Sequence, residues 1–129
     1  MSFRESALVL HTEDVISFST GSPSHVEFNF EEVWKYRKDP SLLAFYHVHP
    51  VGFDSYSSTD EDCIKGFNIA FGHPVYFSIV GFYDREYIFN IDHWQKSYMC
   101  IGNKIIETVN KKLDYEQLLL LKILSYGEK

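Results

Sequence analysis

A chain of 129 residues is long enough for one hydrophobic core and not for two, so a single domain over residues 1–129 is expected. Its 45% apolar content, with 11 Phe and 9 Tyr, excludes a disordered chain. Twelve basic residues against eighteen acidic ones, a net charge of −6 without any basic run, weigh against a surface that tracks nucleic-acid phosphates.

Cys63 and Cys100 are too few for a disulfide framework and form no CxxC pair, which suits thiols in a reducing cytoplasm. No run is long and apolar enough to span a membrane, and the first residues lack the charged-then-apolar layout of a signal peptide. A cytoplasmic protein without a membrane partner is the expectation.

In chain order, Ser6–His11 reads as a short strand closed by Thr12, Glu13 and Asp14, and residues 15–19 as a second, broken by Gly21-Ser22-Pro23-Ser24. Residues 26–30 alternate strictly, with Val26, Phe28 and Phe30 on one face, the pattern of a half-buried strand. A short helix is expected over residues 31–38, ended by Asp39-Pro40. Residues 42–49 form a continuous apolar run ending in two histidines. Its length favours a central strand, stopped by Pro50-Val51-Gly52.

Ser58-Thr59-Asp60-Glu61 has the capping-box form, so a helix should start there, with Ile64, Phe67 and Phe71 facing the core and Gly72-His73-Pro74 at its end. Residues 75–83 and 87–91 read as the arms of a hairpin turned by Asp84-Arg85-Glu86. From Lys104 onward the pattern predicts helix, with Ile105, Ile106, Val109 and Leu113 as one stripe and a second segment recapped at Asp114. That last segment is apolar on nearly all sides, which fits either deep burial or an oligomer interface. Together these elements predict an α/β fold, a mixed sheet with helices packed against it.

The chemistry concentrates in one stretch. In a strand, residues i and i+2 share a face, so His47 and His49 present their imidazoles side by side. A helix starting near Ser58 can return Asp60 to the strand's end. Two imidazoles and a carboxylate are a three-ligand set for Zn²⁺ that leaves a fourth position for water, as catalytic zinc requires, with Cys63 the weaker fourth candidate. A lone H-x-H pair, or a lone Ser-x-x-Asp helix cap, is by itself an ordinary structural feature. His11, His25, His73 and His93 have no ligand spacing to one another.

His47-Val48-His49-Pro50 followed by Ser57-Ser58-Thr59-Asp60 resembles the H-x-H-x7-S-x-x-D motif of the JAMM (MPN-plus) zinc metalloproteases, in every defined position and in the spacing. The apolar run into Phe45-Tyr46 and the proline after His49 are similar too. The resemblance implies a cytidine-deaminase-like α/β sandwich around a central mixed sheet. It implies that His47, His49 and Asp60 bind zinc and that Ser57 stabilises a tetrahedral intermediate. It also implies an upstream glutamate as general acid–base, for which Glu5 at the head of the first strand comes first and Glu27 next. The family commonly has glycine three residues after that glutamate, where this chain has Leu8.

The activity implied is hydrolysis of an amide bond, a peptidase or isopeptidase reaction of deubiquitinase type. Its substrate would be a protein or peptide, such as the extended, Gly-rich tail of a ubiquitin-like protein, which binds by adding a strand beside a sheet edge. Two alternatives belong to other classes. One is a non-catalytic MPN-like scaffold working through protein contacts, as a homo- or hetero-oligomer through the C-terminal helix. The other is a DNA-repair-associated branch with a similar H-x-H-P-x-G pattern, which the acidic charge disfavours.

Overall fold

The structure, a computed structural model, describes residues 3–50 and 52–127; Val51, part of the turn expected at Pro50–Gly52, lies outside them. The apolar run before the histidines forms β3 (Leu43–Val48), and Phe45, Tyr46 and Val48 are fully buried on its two faces. A strand apolar on both faces is stable only where layers cover it from both sides. β3 accordingly lies inside a six-stranded mixed sheet, between β1 (Ser6–His11), which is antiparallel to it, and β4 (Val75–Phe82), which is parallel.

β2 (Asp14–Thr20) forms one edge beside β1, while β5 (His93–Ile101) and β6 (Lys104–Thr108) complete the other side, giving the order β2-β1-β3-β4-β5-β6. A parallel neighbour requires a crossover, and α2 (Ser58–Phe71) supplies it between β3 and β4. With α1 (Phe30–Trp34), α2 covers one sheet face, where Val33, Ile64 and Phe67 pack on Val9, Phe45 and Phe77. α3 (Tyr115–Tyr126) covers the opposite face, with Leu118 and Leu121 on Leu8, Leu10, Tyr46 and Val80. Burial on the sheet accounts for its apolar character.

Four expectations are corrected. Residues 26–29 are in no strand: Val26 and Phe28 satisfy their alternation by packing, Phe28 edge-on to Phe45 at 5.1 Å, and Phe30 opens α1 behind the Asn29 cap. α1 itself ends at Trp34, short of the expected residue 38. The partner of β4 is β5 and not residues 87–91, because Asp84 turns the chain early: its carboxylate accepts from the backbone of Glu86 and Tyr87 and from the Asn90 amide.

The fourth correction concerns residues 104–108, which form strand β6 where helix is expected. Gly102 and Asn103 both have positive φ, 54° and 65°, which closes a two-residue hairpin between β5 and β6. β-branched Ile105, Ile106 and Thr108 then suit the sheet. The helical recap at Asp114 is observed, its side chain accepting from Gln117 N at 2.8 Å.

The loop between β4 and β5 is held from beneath by Lys122. This lysine is fully buried on α3, and its ammonium donates to the carbonyls of Tyr87, at 2.6 Å, and of Asn90. Burial pushes its pKa down, opposed by the charges of Asp84 and Asp92. Lys122→Met keeps the stem and removes the donors, leaving two carbonyls short of a partner. We expect a loss of about 1–3 kcal/mol in denaturant unfolding, with amide exchange rising first in residues 83–92. Unchanged stability would remove the clamp.

Candidate metal centre

The centre forms where three elements end. β3 runs up to His47 and Val48, and His49 prolongs its pairing by donating its backbone N–H to the Val80 carbonyl at 3.0 Å. The two histidines therefore keep strand spacing, and their rings stack with centroids 4.6 Å apart. Gly52, with φ of +94°, lies in the turn that carries the chain away toward α2. Helix α2 then starts with a capping box one residue earlier than the Ser58–Glu61 form read from sequence. The Ser57 hydroxyl accepts from Asp60 N at 3.1 Å, and the Asp60 carboxylate accepts from Ser57 N at 2.8 Å.

That box fixes Asp60 against both imidazoles. Asp60 Oδ1 is 3.1 Å from His47 Nε2, and Oδ2 is 3.1 Å from His49 Nε2. The two Nε2 atoms are 2.8 Å apart. Glu5 comes from the other side. Because Ala7 pairs with His47 across β1 and β3, Glu5, two residues earlier, shares the His47 face. Its carboxylate stands 4.0 Å from His47 Nε2, farther off than Asp60. All four side chains are buried.

Among the described residues, Glu5, His47 and His49 form a buried group whose ligand atoms lie within 4.8 Å of one another, so the group could hold a metal ion. The donor set fits one. Ligand atoms about 2 Å from a tetrahedral ion lie roughly 3.3 Å apart; here the two Nε2 atoms are 2.8 Å apart and each has one Asp60 oxygen at 3.1 Å. The His49 ring is also oriented for it: Nδ1 lies 3.1 Å from the Phe53 carbonyl, so Nδ1–H donates there and Nε2 keeps its lone pair for the centre. Phe28 stacks near His47, centroids 6.0 Å apart.

Sequence reasoning did not find these two supports. A backbone carbonyl leaves no sequence signal. Phe28 stands in an alternating pattern whose chief expectation was a strand.

Electrostatics separate the members of the group. Burial pushes His47 down to about 4 against the pull of Asp60, so the imidazole is neutral at pH 7, the form that ligates metal. Burial also presses His49 down, but the Asp60 hydrogen bond and the Glu5 charge outweigh it and leave it raised. Asp60 is raised by burial and lowered more strongly by His49, His47 and the Ser57 N–H, with a net fall. Glu5 is pushed up to about 7, chiefly by burial, with His49 opposing and Asp60 adding to the rise. Two carboxylates in one buried cluster thus differ in proton affinity, the arrangement that acid–base chemistry uses.

The other candidates lie apart. Glu27 projects into solvent, its side chain 83% exposed and 3.7 Å from His25. Cys63 is outside the Glu5–His47–His49 group, and burial pushes its thiol up to about 11. His73 Nδ1 lies 2.7 Å from the Pro74 carbonyl at the end of α2. Ser57 is exposed, and as a cap its oxygen accepts, which leaves the hydroxyl proton free to donate.

No protein-family model matches the chain, and no curated protein matches it. No helix among the described residues is long and apolar enough to cross a membrane.

Glu5 gives the metal-free protein a pH signature. In the unfolded chain its carboxyl titrates at 4.5, and in the folded protein at about 7. Below pH 4.5 both states are protonated and the group costs nothing. Between 4.5 and 7 the unfolded state ionises first, so stability falls as pH rises. Glu5→Gln removes that fall. In chelator the variant should match wild type near pH 4 and exceed it at pH 8 by up to roughly 3 kcal/mol, read from unfolding curves at each pH. A constant difference across that range would contradict the assignment. The opposite slope from neutral, buried His47 is common to both proteins.

Proposed function

We propose that this chain is a zinc-dependent metallopeptidase or isopeptidase of the JAMM (MPN-plus) kind, built on a cytidine-deaminase-like sandwich. The observation that carries the reading is the convergence of one spaced motif on one point. His47, His49 and Asp60 meet within hydrogen-bond distance of one another, with Ser57 at the same helix start and Glu5 facing them. His47, His49 and Asp60 would hold the ion, since Asp60 touches both imidazoles and Glu5 stands off. When bound, zinc supplies Lewis acidity, lowering the pKa of water toward neutrality and polarising a carbonyl.

The remaining chemistry belongs to the chain. Glu5 accepts a proton from the water whose oxygen bonds to the scissile carbonyl carbon. It hands that proton to the nitrogen as the C–N bond breaks, leaving an amine and a carboxylic acid that then ionises to solvent. The Ser57 hydroxyl, accepting from Asp60 N, directs its own proton at the developing oxyanion. No cysteine takes part in this scheme. The α/β sheet with helices on both faces is consistent with the sandwich and does not single it out.

The purified protein should take up one zinc ion per chain, measured by elemental analysis after metal exchange, and His47→Ala should lose it. Failure of wild type to bind zinc would sink the reading. With zinc bound, Glu5→Gln should retain the metal and lose about 10²–10⁴ in the hydrolysis rate of a peptide mixture followed by mass spectrometry. Full activity in that variant would move the base elsewhere.

Ser57→Ala should show two separable losses, about a hundred-fold in rate and about 1 kcal/mol in stability from the missing cap. A stability loss alone would leave Ser57 as a cap only.

A further inference from the structure

Two cavities reach the centre and share no lining residue. One, of about 390 Å³, lies between residues 25–30 and the first three turns of α2 and touches the centre at Asp60. The other, of about 360 Å³, touches it at Glu5, His49 and Ser57 and extends between Pro23 and Phe53. Both volumes fall in the range that takes a sizeable ligand group. A glycine on either side of the cleaved bond would leave them unfilled, and their apolar walls would contribute nothing to binding.

The first cavity has a chemistry of its own. Phe28, Phe30 and Phe67 form an aromatic wall, with Phe30 and Phe67 stacked at 5.6 Å and Phe28 and Phe67 tilted edge-to-face at 6.3 Å. Phe30 is about half exposed, so ring surface is open to a ligand. The exposed carboxylates of Glu27 and Asp62 line the cavity, with His25 3.7 Å from Glu27, and no lysine or arginine lines it. An aromatic wall beside exposed carboxylates suits a long side chain with an apolar stem and a cationic head. The second cavity, walled by Pro23, Pro50, Phe53 and Tyr56, has no charged group beyond Glu5 and His49 of the centre itself, which suits an aromatic or aliphatic side chain.

We propose that the site takes a peptide with a large side chain on each side of the cleaved bond, a lysine or arginine in the Glu27–Asp62 cavity and an apolar residue in the Phe53–Tyr56 cavity. This rests on the hydrolase reading for the bond that is cleaved, and it departs from the Gly-rich tail that the sequence resemblance implies. The selectivity lies in groups that the metal centre does not use.

The zinc-loaded protein is given peptides matched except at the residues flanking one bond, and products are quantified by mass spectrometry. Lys or Arg at one flanking position should be favoured over Glu or Gly by about tenfold. The double variant Glu27→Lys, Asp62→Lys should reverse the preference toward Glu. Equal cleavage of Gly-Gly and basic-flanked peptides would overturn the proposal and leave the hydrolase reading intact.

If no peptide is cleaved, binding of butylguanidinium, followed by amide chemical shifts, decides. Shifts confined to residues 25–30 and 59–67 that vanish in the double variant would uphold the cavity assignment while the hydrolase reading falls. Absence of such shifts in wild type would overturn the proposal.

Discussion

One carboxylate holds the architecture of the site together. Asp60 Oδ2 accepts the Ser57 N–H that closes the α2 capping box and also lies 3.1 Å from His49, while Oδ1 lies 3.1 Å from His47. The start of the helix and the polar centre are therefore one object. A capping box is ordinarily a device for satisfying free N–H groups at a helix end. Here the same bonds orient the carboxylate toward the end of β3, so any shift of the helix start would move a candidate ligand. Core packing resists such a shift, since Ile64 and Phe67 anchor the same helix on Phe45 and Phe77.

Burying four ionisable side chains together is costly unless they satisfy one another. The shifts divide that cost unequally. His47 remains neutral under full desolvation, the Asp60 carboxyl is held below its usual range by His49, His47 and the Ser57 N–H, and Glu5, with less compensation, holds its proton up to about 7. A cation at the point where the Nε2 atoms meet would relieve both the Asp60 charge and the crowding of the two imidazoles. The cluster is thus poorly explained as a stability device. It is the kind of local conflict that a fold carries for function and offsets with its two apolar layers.

The site was legible because its chemistry is local. Strand spacing puts His47 beside His49, and helix spacing returns Asp60, so two short periodicities locate three of the four groups. Glu5 was harder, since its place depends on the antiparallel register of β1 and β3, which no local pattern states. Strands β1 and β3 and helices α2 and α3 were readable for the same reason. The misread segments are those where a tertiary contact overrode the pattern. Residues 26–30 alternate like a strand but find packing partners and no strand ladder to join. Residues 87–91 are turned aside by Asp84 and held by Lys122 from a helix more than thirty positions away. Ile105 and Ile106 fit a helical stripe equally well, and the signal that decides against it, Gly102-Asn103, is a turn and not a periodicity.

The acid–base role proposed for Glu5 needs it held to a fraction of an ångström, and Glu5 precedes β1 without lying inside it. Its rigidity comes from bonds outside the strand ladder. Its N–H donates to the Ser22 carbonyl at 2.8 Å, and its own carbonyl accepts from Gly21 N at 2.9 Å. One residue earlier, Arg4 donates its N–H to Ser125 O at 3.1 Å and its Nε to Leu124 O at 2.7 Å, and Ser6 Oγ meets Ser125 Oγ at 2.6 Å. A Cβ on Gly21 would lie 2.0 Å from the His25 carbonyl, so only glycine permits the chain to approach there. The segment that seats Glu5 is continuous with residues 25–30, which wall the larger cavity. Position of the proposed base and shape of the cavity therefore depend on the same few backbone bonds, and a substitution at Gly21 should disturb both at once while leaving the histidine pair, held on β3, in place.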